Sequence, residues 1–332
     1  MDLALISAAV IALGVLVYIV LDGFDLGIGV LFAVAPDADA RATMMNSIAP
    51  VWDGNETWLI LGGAVLFAAF PLAYAVALPA LYIPLMLMLF ALIFRGVSFE
   101  LRFKAANPRP WDFAFAIGST VAAFMQGAML GGLVAGIKVE HNAFAGGPFD
   151  WLTPLAVAAG LGVVAGYALL GACWLVLKTE GHLQARARVW GRWLVAAVLA
   201  AMGVVSLITP LDHPQVAARW FSGLNFVYLA PVPLAALAVA FLVWRGLGQG
   251  WERTPFFLAA LLFLLGYAGI AISLWPHIVP YALTIWAAAA PPSSQVFTLA
   301  GVAVSLPMIA IYTIYAYRVF RGKVGAEGYH AH

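Results

Sequence analysis

Charge is what this sequence has least of. Its 332 residues include 16 Lys and Arg and 15 Asp and Glu, 9% of the chain, where a soluble domain carries about 25%. Hydrophobic residues make up 64%, and the mean hydropathy is +0.99. A soluble enzyme of this length cannot hide so much apolar surface, and a disordered chain has the opposite composition. The single cysteine, Cys173, lies in an apolar run, which excludes a disulfide framework and a Cys-based metal or iron–sulfur site. A formal net charge of +1 offers no basic field to nucleic acid. There is no GxxxxGK phosphate loop and no HExxH zinc helix. The apolar runs are continuous rather than alternating, which argues against a transmembrane barrel. What remains is an all-α polytopic membrane protein, with apolar residues enough for roughly nine or ten spans of about 20 residues.

Cutting the apolar runs at polar and Pro/Gly-rich punctuation gives nine transmembrane helices in a single integral membrane domain, 1–332. They fall at about 3–34, 53–70, 73–97, 111–137, 152–178, 190–209, 223–245, 255–275 and 293–318. The first run has no positively charged n-region and is expected to be a retained helix rather than a signal peptide. It is long for one span, so it tilts or extends beyond the bilayer. Lys and Arg concentrate in cytoplasmic loops. With the N-terminus periplasmic and the C-terminus cytoplasmic, only Lys138 and Arg219 of the 16 Lys and Arg fall outside. Gly23 with Gly27, Gly127 with Gly131, Gly132 with Gly136 and Gly162 with Gly166 are spaced for close helix approach. Pro79, Pro84 and Pro307 lie within spans, where neighbours can satisfy the freed carbonyls.

Carboxylates within hydrocarbon are costly and have a partner or a task. Asp22 and Asp25, in Leu21-Asp-Gly-Phe-Asp-Leu-Gly-Ile-Gly29, share one helix face. Two acids so close disfavour double ionisation, which suits a station in a proton path. Equally, the pair could anchor helix packing through hydrogen bonds, and the sequence leaves both readings open. Asp53 and Glu56, in Pro50-Val-Trp-Asp-Gly-Asn-Glu-Thr-Trp58, have the spacing of a capping box at the start of the second span. An acid capping a helix at a cytoplasmic mouth is also placed to collect protons. Arg95 and Glu100 read as an ion pair and inner-surface anchor at the end of the third span.

Histidine is the usual axial haem ligand, yet no histidine is expected in mid-membrane. His141, His182 and His213 fall in expected loops, His277 at the outer end of the eighth span, and His330 and His332 in the tail. A haem bound through His by this chain is not expected.

Six segments in order resemble subunit II of the cytochrome bd-type quinol oxidases. Leu21-Asp-Gly-Phe-Asp-Leu-Gly-Ile-Gly29 is similar to the family's first-helix signature. Asn46-Ser-Ile-Ala-Pro-Val-Trp-Asp-Gly-Asn-Glu-Thr-Trp58 resembles its second, and Phe94-Arg-Gly-Val-Ser-Phe-Glu-Leu-Arg102 its third. The run from Gly166 to Gly181 resembles a fifth-helix motif. Pro276 to Gln295 resembles the outer loop before the last helix, and Tyr317-Arg-Val-Phe-Arg-Gly-Lys323 the ending. The compact length is closer to the cyanide-insensitive, short type.

The resemblance implies two four-helix bundles plus one peripheral helix, beside a subunit I of homologous fold. Subunit I would carry the haems, haem b with haem d or b-type throughout, and the quinol-oxidising loop. The complex would oxidise quinol and reduce dioxygen to water in a bacterial cytoplasmic (inner) membrane. Catalytic residues are then expected in the partner. This chain contributes a proton pathway through Asp53, with Asp22, Asp25 and Glu56 as further candidates. Some family members hold a quinone in subunit II, a site that Trp52 would border as a quinone or lipid contact. Expected partners are subunit I, a small single-helix subunit, quinol and dioxygen through the complex, and membrane lipids. Two other readings use the same residues: a proton-coupled secondary transporter, for which an internal repeat is missing, and a purely structural scaffold.

Overall fold

The computed structural model describes residues 2–325 and Glu327; His330 and His332 of the expected tail lie outside the described residues. Among the described residues, thirteen helices and two short hairpins follow in order. Helix α1 spans Leu3–Phe32, α2 Ala38–Asn46, α3 Trp52–Ala69, α4 Pro71–Ala80, α5 Tyr82–Arg102, α6 Arg109–Val134 and α7 Pro154–Lys178. Helix α8 spans Gly181–Asp212, α9 Pro214–Phe221, α10 Asn225–Leu229, α11 Pro231–Gly248, α12 Thr254–Leu274 and α13 Pro292–Val319. Strands β1 (Val139–Glu140) and β2 (Ala143–Phe144) form one antiparallel hairpin, and β3 (His277–Val279) and β4 (Leu283–Thr284) another. Among the described residues, eight helices are long and apolar enough to cross a membrane, or nine if the bent pair of α3 and α4 counts as one.

That pair is the main departure from the expected spans. The run expected as one helix over 73–97 is divided at Leu81, and α4 turns away from α3 by 119°. Proline explains the turn between α3 and α4: the residue before a proline is pushed out of the helical region. Phe70, ahead of Pro71, takes φ −135° and ψ +59°. The spanning helix then begins at Tyr82 and runs on to Arg102, which places Arg95 about 10 Å inside its end, at 1.5 Å per residue. Helix α8 likewise starts at Gly181, well ahead of the expected 190, so His182 sits in a helix rather than a loop. Two expected loops hold short helices, α2 and α9.

Local capping fits the sequence. Asp2 accepts from the Leu5 amide at 3.0 Å and from the Trp286 indole at 2.8 Å, joining the start of α1 to the β3–β4 segment. Thr153 accepts from the Ala156 amide at 3.1 Å, with Pro154 at the first position of α7. At the other end of α7, Lys323 donates to the carbonyls of Val176 and Thr179 and pairs with Glu252 at 3.0 Å. Hydrogen bonds from Lys323 and Gln184 hold the Glu252 carboxyl below the usual carboxylate range. This exposed tether is therefore present at neutral pH and lost as pH falls through that lowered value.

Helix α1 packs against α3, α6 and α7, while α5, α6, α7 and α8 neighbour one another in sequence order. Residues Asp22–Gly29 of α1 are buried without interruption, so its second half is enclosed on every side. Glycine makes this possible. A Cβ on Gly27 would run into the Tyr167 carbonyl of α7, and one on Gly171 would meet the backbone of Gly27 and Ile28. The two backbones touch where a side chain would stand. Gly127 and Gly131 of α6 meet α7 in the same manner, at Ala159 and Ala156.

Gly27→Ala should therefore cost at least the about 1–3 kcal/mol typical of overpacking. Gly63→Ala, where a Cβ meets nothing within 4 Å, should be neutral. Thermal unfolding in detergent, followed by tryptophan fluorescence, separates the two; equal midpoints would refute the contact.

Candidate functional site

At the inner half of α1, Asp22 and Asp25 face α5, and between them lies Arg95. Its guanidinium Nη1 is 3.1 Å from Asp22 Oδ1 and 2.5 Å from Glu56 Oε1, and Nη2 is 3.9 Å from Asp25 Oδ2. The side chains of Arg95, Asp22 and Asp25 are wholly buried, while that of Glu56 is 26% exposed. Glu56 is thus where the cluster opens outward. One cation faces three acids in a site closed to water on all but one side. Charge balance with a single guanidinium is met when one carboxylate is ionised and two carry protons, because an uncompensated buried charge is severely penalised. The arrangement can therefore hold and exchange protons among its members.

Small residues and aromatics make room for Arg95 and cover it. A Cβ on Gly118 of α6 would strike the Ala91 carbonyl, so α5 and α6 meet tightly beside it. The Trp52 ring lies 5.5 Å from the Arg95 Cζ and stacks on Phe99 at 4.8 Å. It passes over Gly96, where a Cβ would touch it. Cation–aromatic contact of this kind replaces part of the lost hydration of the guanidinium.

One hydrogen-bonded chain leads from Asp25, and a second lies beside Asp22. Asn55 donates from Nδ2 to Asp25 Oδ2 at 2.7 Å and to the Leu21 carbonyl at 3.3 Å, and Tyr317 donates to Asn55 Oδ1 at 3.0 Å. On the opposite side, Tyr18 lies beside Asp22. Gln126 donates to the Tyr18 hydroxyl at 2.7 Å, and Tyr167 donates to Gln126 Oε1 at 2.7 Å.

The candidates singled out from the sequence thus separate. Asp22, Asp25 and Glu56 meet in one cluster, with Trp52 over it. Asp53 stays exposed in the first turn of α3, one turn from Glu56. The capping box does not form: the cap position is Val51, without a side-chain cap bond, and Glu56 turns to Arg95 instead. The expected Arg95–Glu100 pair is also corrected, since Glu100 bonds Lys104 at 3.0 Å on the surface. Arg95 is the residue that the sequence reading undervalued. Its signal was an arginine followed by four residues without charge, Gly96-Val-Ser-Phe99, inside a helix that continues. Among the described residues, no group of three or more His, Cys, Asp and Glu is arranged to hold a metal ion.

Fold and site together define a multi-span helical membrane protein built around a buried ionic cluster. The chain belongs to the cytochrome bd terminal oxidase subunit II family, whose model matches residues 3–320, and it is thus one subunit of a quinol oxidase complex. It is 30% identical to the cytochrome bd-I ubiquinol oxidase subunit 2 of Escherichia coli K12, over 93% of this chain and 92% of that one. It is similarly 30% identical to the probable cytochrome oxidase subunit 2 of Haemophilus influenzae, over 93% and 91%. To the cytochrome bd ubiquinol oxidase subunit 2 of Bacillus subtilis it is 29% identical, over 97% and 96%. Among solved structures, a chain of the bd oxidase from Geobacillus thermodenitrificans shares the fold, with a TM-score of 0.66 over 96% of this chain and 99% of that one at 13% identity.

Arg95→Met should destabilise the protein by about 3–5 kcal/mol, the cost of leaving buried acids without their cation. Lys104→Met, which breaks only the exposed Glu100 pair, should cost at most about 1 kcal/mol. Heating aliquots before size-exclusion chromatography in detergent measures both; a similar loss for the two variants would refute the cluster.

Proposed function

We propose that this chain, as subunit II, supports the haem-bearing subunit I and supplies a cytoplasmic route for the protons consumed when dioxygen is reduced to water. The observation that carries this reading is the cluster of three carboxyl groups around one buried arginine, open outward through Glu56. Asp53, exposed one turn away on α3, is the collecting group. Glu56 passes protons to and from the buried pair, Asp22 and Asp25. Arg95 keeps negative charge tolerable in the membrane while protons come and go.

In this reading the spans divide into two bundles of four, α1, α3, α5 and α6 and then α7, α8, α11 and α12, with α13 peripheral. The distribution of Lys and Arg supports a periplasmic N-terminus and a cytoplasmic C-terminus in a bacterial inner membrane. That orientation puts the end of α1 bearing the acids on the cytoplasmic side. The haems, b and d or b-type throughout, and the catalytic residues belong to subunit I. Trp52, half-exposed over Arg95, is the contact for a quinone or lipid tail. A small single-helix subunit is a further partner.

Asp53→Asn is expected to lower quinol oxidase turnover on the order of tenfold, about 1.4 kcal/mol in barrier, with the haem spectrum of the assembled complex intact. Glu56→Gln should do the same. Oxygen uptake driven by a soluble quinol measures both. Wild-type turnover in each variant would remove the proton role, and loss of haem would assign these residues to assembly instead.

A further inference from the structure

The ending Tyr317-Arg-Val-Phe-Arg-Gly-Lys323 has a task that the proton route does not yet use. Helix α13 is held to the rest of the protein along one narrow face. Its outward side, including Val304, Ile311, Ile314 and Tyr315, is exposed. On the inward side, Trp58 of α3 donates to Thr313 at 3.3 Å. The Tyr312 ring fills the space where Gly54 lacks a side chain. Beyond the helix the chain crosses the end of α7 as a strap: the Val324 amide donates to the Lys178 carbonyl at 2.8 Å, and Lys178 donates to the Phe320 carbonyl at 2.6 Å. With the Lys323 bonds to α7, these contacts fix the rotation and height of α13 at Tyr317. There the ring packs edge-on against Phe24 and Trp174 at 6.4 and 6.0 Å, and the hydroxyl reaches Asn55.

The amide of Asn55 is 1% exposed, and its two ends are not equivalent. The Leu21 carbonyl can only accept, so it must face Nδ2, which leaves Oδ1 toward Tyr317. In this orientation the amide presents an N–H to Asp25 Oδ2. Turned over, it would present an oxygen, and only a protonated Asp25 could bond to it. Asp25 is also faced by Arg95, with Asp22 and Glu56 close by. Arg95 lies 3.9 Å away, so the 2.7 Å bond from Asn55 is the closest polar contact that orients this carboxyl group.

We propose that Tyr317 is a positioning residue for proton exchange: held by the C-terminal strap, it joins the Leu21 carbonyl in fixing the orientation of Asn55 and so the hydrogen bond that Asp25 accepts. Tyr317 touches no substrate and acts through Asn55. Its use in turnover rests on the proton-route reading above; its hold on Asp25 does not.

The test uses the assembled complex with Tyr317→Phe, which removes one oxygen and keeps the ring. Asn55→Ala serves as a second variant should the first fail to assemble, and Tyr315→Phe, on the exposed side of the same helix, as the control. Infrared difference spectra report the Asp25 carboxyl or carboxylate stretch, assigned by its disappearance in Asp25→Asn. The expected result is a shifted Asp25 band in Tyr317→Phe and Asn55→Ala and an unshifted one in Tyr315→Phe. Turnover should fall about fivefold in Tyr317→Phe, the worth of one neutral hydrogen bond. An Asp25 band at the wild-type position in the assembled Tyr317→Phe complex overturns the proposal, whatever happens to turnover and even if Asn55→Ala shifts it; should Tyr317→Phe fail to assemble, an unshifted band in Asn55→Ala does so. A shifted band with wild-type turnover in both Tyr317→Phe and Asp25→Asn upholds the positioning role and removes Asp25 from the proton route.

Discussion

Everything at the centre of this protein is arranged around the difficulty of keeping one guanidinium dry. Arg95 has no water to solvate it, so hydration is replaced by carboxyl groups from α1 and α3 and by the faces of Trp52 and Phe99. An arginine in such a place is tolerable only with partners. Those partners in turn are tolerable as charged groups in the interior only with Arg95 beside them. The excess of acid over base distinguishes the cluster from an ordinary structural ion pair. A matched pair is neutral in one way, whereas three carboxyl groups around one cation offer more than one place for the ionised group.

The glycines serve this arrangement. For α1 to bring its acids to α5 with no gap for lipid, its inner half must be packed against α3, α6 and α7 at once. Gly27 and Gly171 let the α1 and α7 backbones touch, and Gly118 lets α6 lie directly against the turn of α5 that carries Arg95. Close backbone contact also removes the free volume in which a displaced charged side chain could relax. The stiffness of the glycine contacts and the closeness of the charges are one design requirement seen from two sides.

Much of this was legible in the sequence. Long apolar runs and their punctuation mark spans, because an unsatisfied backbone in lipid leaves helices as the available element. Asp22 and Asp25 stood out because acids are rare in such runs. Less legible was whatever depends on where a helix stops. Reading 73–97 as one span put Arg95 at its edge, where an arginine is an unremarkable anchor. The break at Phe70 and Leu81 moves the true span toward Arg102 and turns the same residue into a buried one. Asp53 and Glu56 carried a spacing that fits a cap as well as a path, and only the position of Arg95 on another helix decides what Glu56 bonds. Asn55 and Tyr317 stood inside the resembling segments without a role of their own, and Tyr18 and Gln126 were not singled out, since the partner of each lies on a distant segment.

That distance has a consequence for how the protein is made. Asn55 and Tyr317 are separated by 262 positions, and helices enter a membrane in the order of synthesis. Until α13 arrives, the amide that steadies Asp25 lacks its hydroxyl partner, and Trp58 lacks Thr313. The ionic centre draws its charges from α1, α3 and α5 but is completed by α13, the last of the described helices.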